Sequence, residues 1–130
     1  MDVLVVEKSS PEAEWLEERI RSWGYRPCRA IGASAAAALA DRRCFDLVVL
    51  NLGLENGSSF ALIRRLNRAW PAVRIIGLAD AGSRQVELKA RSGGVIHYMV
   101  KPPDEEELLT VMRHLAHKIN TETLEKGDPT

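Results

Sequence analysis

The chain has 130 residues, a length that fits one domain around one hydrophobic core. Apolar residues make up 45% and charged residues 28%, which argues against a disordered chain, and no apolar run reaches the length of a membrane span. Lys+Arg and Asp+Glu number 18 each, so no excess of positive charge marks a nucleic-acid footprint or a membrane-binding surface.

The chain opens with MDVLVVEKSS, in which Val3–Val6 reads as a buried strand rather than a signal peptide. The expected location is therefore the cytoplasm. Pro11 to Trp23 reads as a helix: Ser10 caps it, Pro11 suits its first turn and Gly24 ends it. Trp15, Leu16, Ile20 and Trp23 fall on its expected core face. Arg26–Ile31 is a second, shorter strand, weakened by Pro27, and Ala33 to Arg42 is an alanine-rich helix able to lie close to a sheet. FDLVVLNL is the strongest strand, continuous and apolar as a central parallel strand should be. GLENG is a loop, and Ser58 to Trp70 is a helix with Phe60, Leu62, Ile63 and Leu66 toward the core. Val73–Leu78 is a fourth strand, Ser83 to Ser92 a short polar helix, and Val95–Val100 a fifth strand. Pro103 to about Lys118 is a last helix, with acids at its start and bases toward its end, matching its dipole. Residues 1–119 are expected to form the domain, and 120–130 a polar tail or the start of a linker.

Five alternations of strand and helix with short connections predict an α/β fold. The expected form is a five-stranded parallel sheet in the flavodoxin-like order 2-1-3-4-5, with helices on both faces. The crevice of such a fold lies beyond the carboxyl ends of its strands, which here supply Glu7-Lys8, Asn51, Ala79-Asp80 and Lys101. EKSSPE carries no glycine, so no phosphate-cradling loop follows strand one, and a nucleotide or flavodoxin-type cofactor site is disfavoured. No Ser/His/Asp arrangement or nucleophile elbow is visible. Cys28 and Cys44 lack metal-ligand spacing and read as reduced, part-buried thiols. His97, His114 and His117 form no strand-end cluster, so no metal site is expected of them.

From about Asp2 to Lys118 the chain resembles the receiver domain of two-component response regulators. Four stretches carry the resemblance, in order and at receiver spacing: VLVVEKSS, FDLVVLNLGLENGSSF, PAVRIIGLADAGS and SGGVIHYMVKPPDEEEL. The resemblance implies a domain that takes a phosphoryl group on an aspartate at the end of strand three, helped by magnesium on an acidic pair after strand one. It also implies a cis Lys101-Pro102 bond and a switch aromatic at Tyr98.

The departures fall on the chemistry. Asn51 stands at the phosphoacceptor position, and a neutral amide is too poor a nucleophile to form an acyl phosphate. Lys8 stands at a metal-ligand position, where ammonium offers no lone pair to a hard cation, so only Glu7 of the acidic set remains. Ala79 stands at the hydroxyl position and cannot hydrogen-bond a phosphoryl oxygen, while Lys101, Pro102 and Tyr98 are retained. Lys8 either replaces the metal by joining Lys101 against Glu7, or points into solvent as most lysines do.

The expectation is a degenerate receiver with no enzyme activity, no cofactor and Mg²⁺ binding lost. It would act in bacterial-type signalling as a phosphorylation-independent module for protein partners: an effector domain of a longer chain, or a homodimer mate. Two other readings stand: a phosphorylatable receiver with an unusual acceptor, and a small-anion sensor using the Lys8/Lys101 pocket. On the face formed by helix four, strand five and helix five, His97 and Val111 replace the acid and arginine of one dimerising subfamily. Val111, Met112 and Leu115 read either as a partner-binding stripe or as core.

Overall fold

The computed structural model describes the backbone of residues 1–127 and side chains as far as Glu122. Five parallel strands, β1 (Asp2–Glu7), β2 (Arg26–Ile31), β3 (Leu47–Asn51), β4 (Ile75–Ala79) and β5 (Val95–Val100), form one sheet in the order β2-β1-β3-β4-β5. The expected fold class and strand order are those observed. Helices α1 (Pro11–Ser22), α2 (Ala33–Ala40), α3 (Ser58–Ala69), α4 (Arg84–Ser92) and α5 (Glu105–Gly127) cover the two faces.

Strand alternation sorts the core into two layers. Leu4, Val6, Val48, Leu50 and Ile75 pack in one layer with Ala36, Leu62, Leu66 and Ala90 from α2, α3 and α4. Val3, Val5, Leu47, Val49 and Ile76 pack in the other with Leu16, Ile20, Leu108 and Met112 from α1 and α5. All five residues of β3 are buried, as its position between β1 and β4 demands.

Several boundaries and faces depart from expectation. Trp15 is 38% exposed, because the buried stripe of α1 is Ala13, Leu16 and Ile20, at i, i+3 and i+7. The alanine at position 13 lets α1 close on the sheet and leaves the indole on the flank of the stripe. Cys44 is exposed and Cys28 half-buried, and both are free thiols. Helix α5 begins two residues later than Pro103, because the Asp104 carboxylate accepts from Glu107 N at 2.8 Å and caps the first turn. It also runs on to Gly127, past the expected end near Lys118. A contact with the body of the domain accompanies the extension: Arg74 Nη2 lies 2.6 Å from Glu122 Oε2. Of the residues expected to form a tail, 128–130 lie outside the described residues.

The apolar residues of α5 are mostly core. Leu108, Met112 and Leu115 are buried against the sheet and Val111 is half-buried at the edge of that layer. Met112→Ala is therefore expected to cost about 2–5 kcal/mol and Val111→Ala about 1 kcal/mol or less, read by urea unfolding. Equal small costs for both would mean that the stripe is not packed as described.

Candidate functional site

The carboxyl ends of β1, β3 and β4 and the turn after β5 converge on one small cluster. Glu7 ends β1 and is buried, and both of its oxygens are engaged. Oε1 accepts from Lys8 N at 2.9 Å and from Asn51 Nδ2, and Oε2 lies 2.6 Å from Lys101 Nζ. Asn51 ends β3, 1% exposed, and uses both ends of its amide: Nδ2 donates to Glu7 and Oδ1 accepts from Gly53 N at 2.7 Å. Its backbone oxygen accepts from the buried Ser59 hydroxyl at 2.7 Å, and the same hydroxyl accepts from Leu54 N at 3.1 Å. Ser59 thus ties the end of β3 to the first turn of α3. Between them the loop reverses through Asn56 and Gly57, both left-handed, a conformation that glycine and asparagine tolerate best.

Lys101 follows β5 across a cis peptide bond to Pro102. Its ammonium faces two carboxylates, Glu7 below and Asp80 Oδ1 at 3.2 Å above. Asp80, which the sequence places among the strand-end residues of the crevice without naming its partner, is a direct partner of Lys101. The signal was available: it follows Ala79 at the end of β4, where the receiver pattern has alanine after the hydroxyl residue. Ala79 is buried and brings no polar side-chain atom to the cluster, although its backbone oxygen accepts from Lys101 N at 2.8 Å. Tyr98 is half-buried, with its hydroxyl accepting from Ser83 N at 3.3 Å at the start of α4.

Lys8 does not join Lys101 against Glu7. Its side chain is exposed at the rim of the cleft, and among the described residues it forms no ion pair. The reading of Lys8 as a stand-in for the metal fails for a local reason. Glu7 Oε1 is already taken by the Lys8 backbone N–H and the Asn51 amide, and Oε2 by Lys101. Burying a second ammonium would carry a desolvation cost with no carboxylate oxygen left to offset it.

The same bookkeeping tests the divalent cation that the receiver pattern implies. A hard cation needs several oxygen ligands with free lone pairs. Here the Glu7 oxygens are occupied, Asn51 Oδ1 is held by Gly53 N, and position 8 is a lysine. These residues do not fit a magnesium ion. Among the described residues no group of three or more His, Cys, Asp or Glu side chains could hold a metal.

Fold and cluster together define a signalling-type open α/β domain whose retained lysine meets acids at the strand ends. The family model for the response regulator receiver domain matches residues 3–113. The chain belongs to that family and is a receiver domain of two-component signalling. It is 27% identical over 122 residues to the transcriptional regulatory protein ZraR of Salmonella typhimurium, covering 93% of this chain and 28% of ZraR. With the probable transcriptional regulatory protein SilR of the same species it shares 28% over 121 residues, covering 93% of this chain and 53% of SilR. The chain thus spans only about a quarter to a half of these curated relatives. Among solved structures it is similar to the non-phosphorylated HemR receiver domain of Leptospira biflexa, with a TM-score of 0.79 and 28% identity over 88% of this chain and 92% of that one. A two-component response regulator from Clostridium difficile superposes with a TM-score of 0.85 at 18% identity, over 92% of this chain and 98% of that one, a likeness of fold alone.

Proposed function

We propose that this receiver takes no phosphoryl group and works as a phosphorylation-independent protein-interaction module. The observation that carries the reading is the Asn51 amide. It is buried, it donates to Glu7, and it accepts from Gly53 N, so the residue at the acceptor position is a structural link rather than a nucleophile. The loss of magnesium belongs to the same proposal, because the donor set is consumed by internal partners. So does the absence of catalysis, since no other side chain of the cluster is placed as a nucleophile beside a base.

Binding then carries the function, with an effector domain of a longer chain or a homodimer mate as the partner class. Exposed Leu88 on α4 and Ile96 and Val100 on β5 supply apolar surface for such a partner. Balanced charge argues against direct nucleic-acid contact by this domain, no helix among the described residues is long and apolar enough to cross a membrane, and the cytoplasm is the proposed compartment. The anion-sensor reading loses ground, because Lys101 already faces two carboxylates and Lys8 stands apart from it.

Intact-mass measurement after incubation with acetyl phosphate and Mg²⁺ tests the proposal. The expected result is an unchanged mass. Stoichiometric gain of one phosphoryl group would establish an unusual acceptor and end the binding-only reading.

A further inference from the structure

The side of Lys101 that opens to solvent is the place where a free anion would bind. A cleft of about 480 Å³ leads to it. Glu7 lies at the floor with its side chain 5% exposed, and Asp80 stands at the mouth with its side chain 60% exposed. The Lys101 ammonium, on a side chain that is 19% exposed, thus has one buried and one exposed carboxylate partner. We propose that Asp80 is a tethered anion for Lys101, a residue of this chain that occupies the solvent side of the ammonium and keeps free oxyanions out. The proposal deepens the binding-only reading and rests on it.

Two observations place the carboxylate across the mouth rather than in open solvent. Asp80 Oδ1 is 3.2 Å from Lys101 Nζ. A Cβ added at Gly53 would meet Asp80 Oδ2 at 2.6 Å and Asn51 Oδ1 at 3.3 Å, so Asp80 lies over the backbone beside Asn51 and uses the space that glycine leaves. The charge balance agrees. The charged side chains lining the cleft are Glu7, Glu12, Asp80, Lys8 and Lys101, three carboxylates against two ammoniums. An incoming oxyanion meets a net negative cleft, whereas without Asp80 the charges cancel and the solvent side of Lys101 is open.

The exclusion should be modest, because a pair with an exposed partner is worth little in water. Removing the Asp80 carboxylate is expected to tighten oxyanion binding about fivefold, the equivalent of ~1 kcal/mol.

The test is a titration of the full 130-residue chain with inorganic phosphate at constant ionic strength, followed by the amide resonances of Gly53, Asp80 and Lys101. Wild type, Asp80→Ala, Asp80→Asn and the double variant Asp80→Ala/Lys101→Met are compared. The expected result is weak binding in wild type, about fivefold tighter binding in both Asp80 variants, and loss of the response in the double variant. Asp80→Asn keeps the size and removes the charge, so a wild-type response from it would overturn an electrostatic role. Saturable binding by wild type as tight as by Asp80→Ala, or none by either Asp80 variant, would overturn the proposal altogether. The spectra also report whether each variant is folded. Covalent labelling by acetyl phosphate would instead remove the binding-only reading, and this non-covalent titration is read independently of it.

Discussion

Lys101→Met is expected to destabilise the domain by about 3 kcal/mol, a lowering of the urea midpoint by roughly 1.5 M for a domain of this size. The cost falls on Glu7. Its carboxylate is buried and keeps two hydrogen bonds in the variant, from Lys8 N and Asn51 Nδ2, but loses the one cation paired with it among the described residues. Removing one member of a buried pair typically costs about 3–5 kcal/mol, because the charge left behind has no counter-charge. The lower end applies here, since Lys101 is partly exposed and the hydrogen bonds to Glu7 persist. Asp80→Ala should cost about 1 kcal/mol or less, because the Asp80 side chain is 60% exposed and solvent screens its pair with Lys101. Adding Glu7→Gln to Lys101→Met should recover most of the loss, since the neutral amide no longer needs the ammonium. A cost below about 1 kcal/mol for Lys101→Met, with no coupling in the double variant, would reduce the pair to an ordinary surface contact.

The fold was legible because its signals are periodic and local. The run VLVV, the run LVVL and the capped helix at Ser10-Pro11 each carry their own physical instruction, and alternation fixes the sheet. The site positions were legible for the same reason, as ends of strands. What the sequence concealed was who partners whom. Lys8 and Lys101 are both lysines at strand ends, and only the direction of each side chain decides which meets Glu7. Asp80 adjoins Ala79, and its reach toward Lys101 depends on the space above Gly53. Trp15 shows a similar limit: a large apolar residue beside a helical stripe can flank it, and a small Ala13 can take the buried place. Long-range pairing between side chains leaves no period in a sequence.

Asn51→Asp puts a carboxylate where the resemblance to receivers implies the acceptor, yet it is expected to harm this domain. The change replaces an N–H that donates to Glu7 with an oxygen that can only repel it, in a place where both residues are buried. Two adjacent buried carboxylates cannot both stay ionised, so one must hold a proton or a cation must come between them. At neutral pH the variant should lose about 3 kcal/mol, comparable to one like-charge contact near a protein surface. A variant as stable as wild type would contradict the role given to the Asn51 amide. Magnesium provides the second arm. With Lys8 at the remaining ligand position, Mg²⁺ should not restore stability to Asn51→Asp, whereas combining it with Lys8→Asp rebuilds an oxygen-rich cluster and should make stability rise with Mg²⁺ concentration by simple linkage. The asparagine and the lysine would then be two halves of one change. An oxygen-rich cluster holding a cation, and the present set with an amide at position 51, would then be two alternative ways to keep Glu7 buried beside position 51.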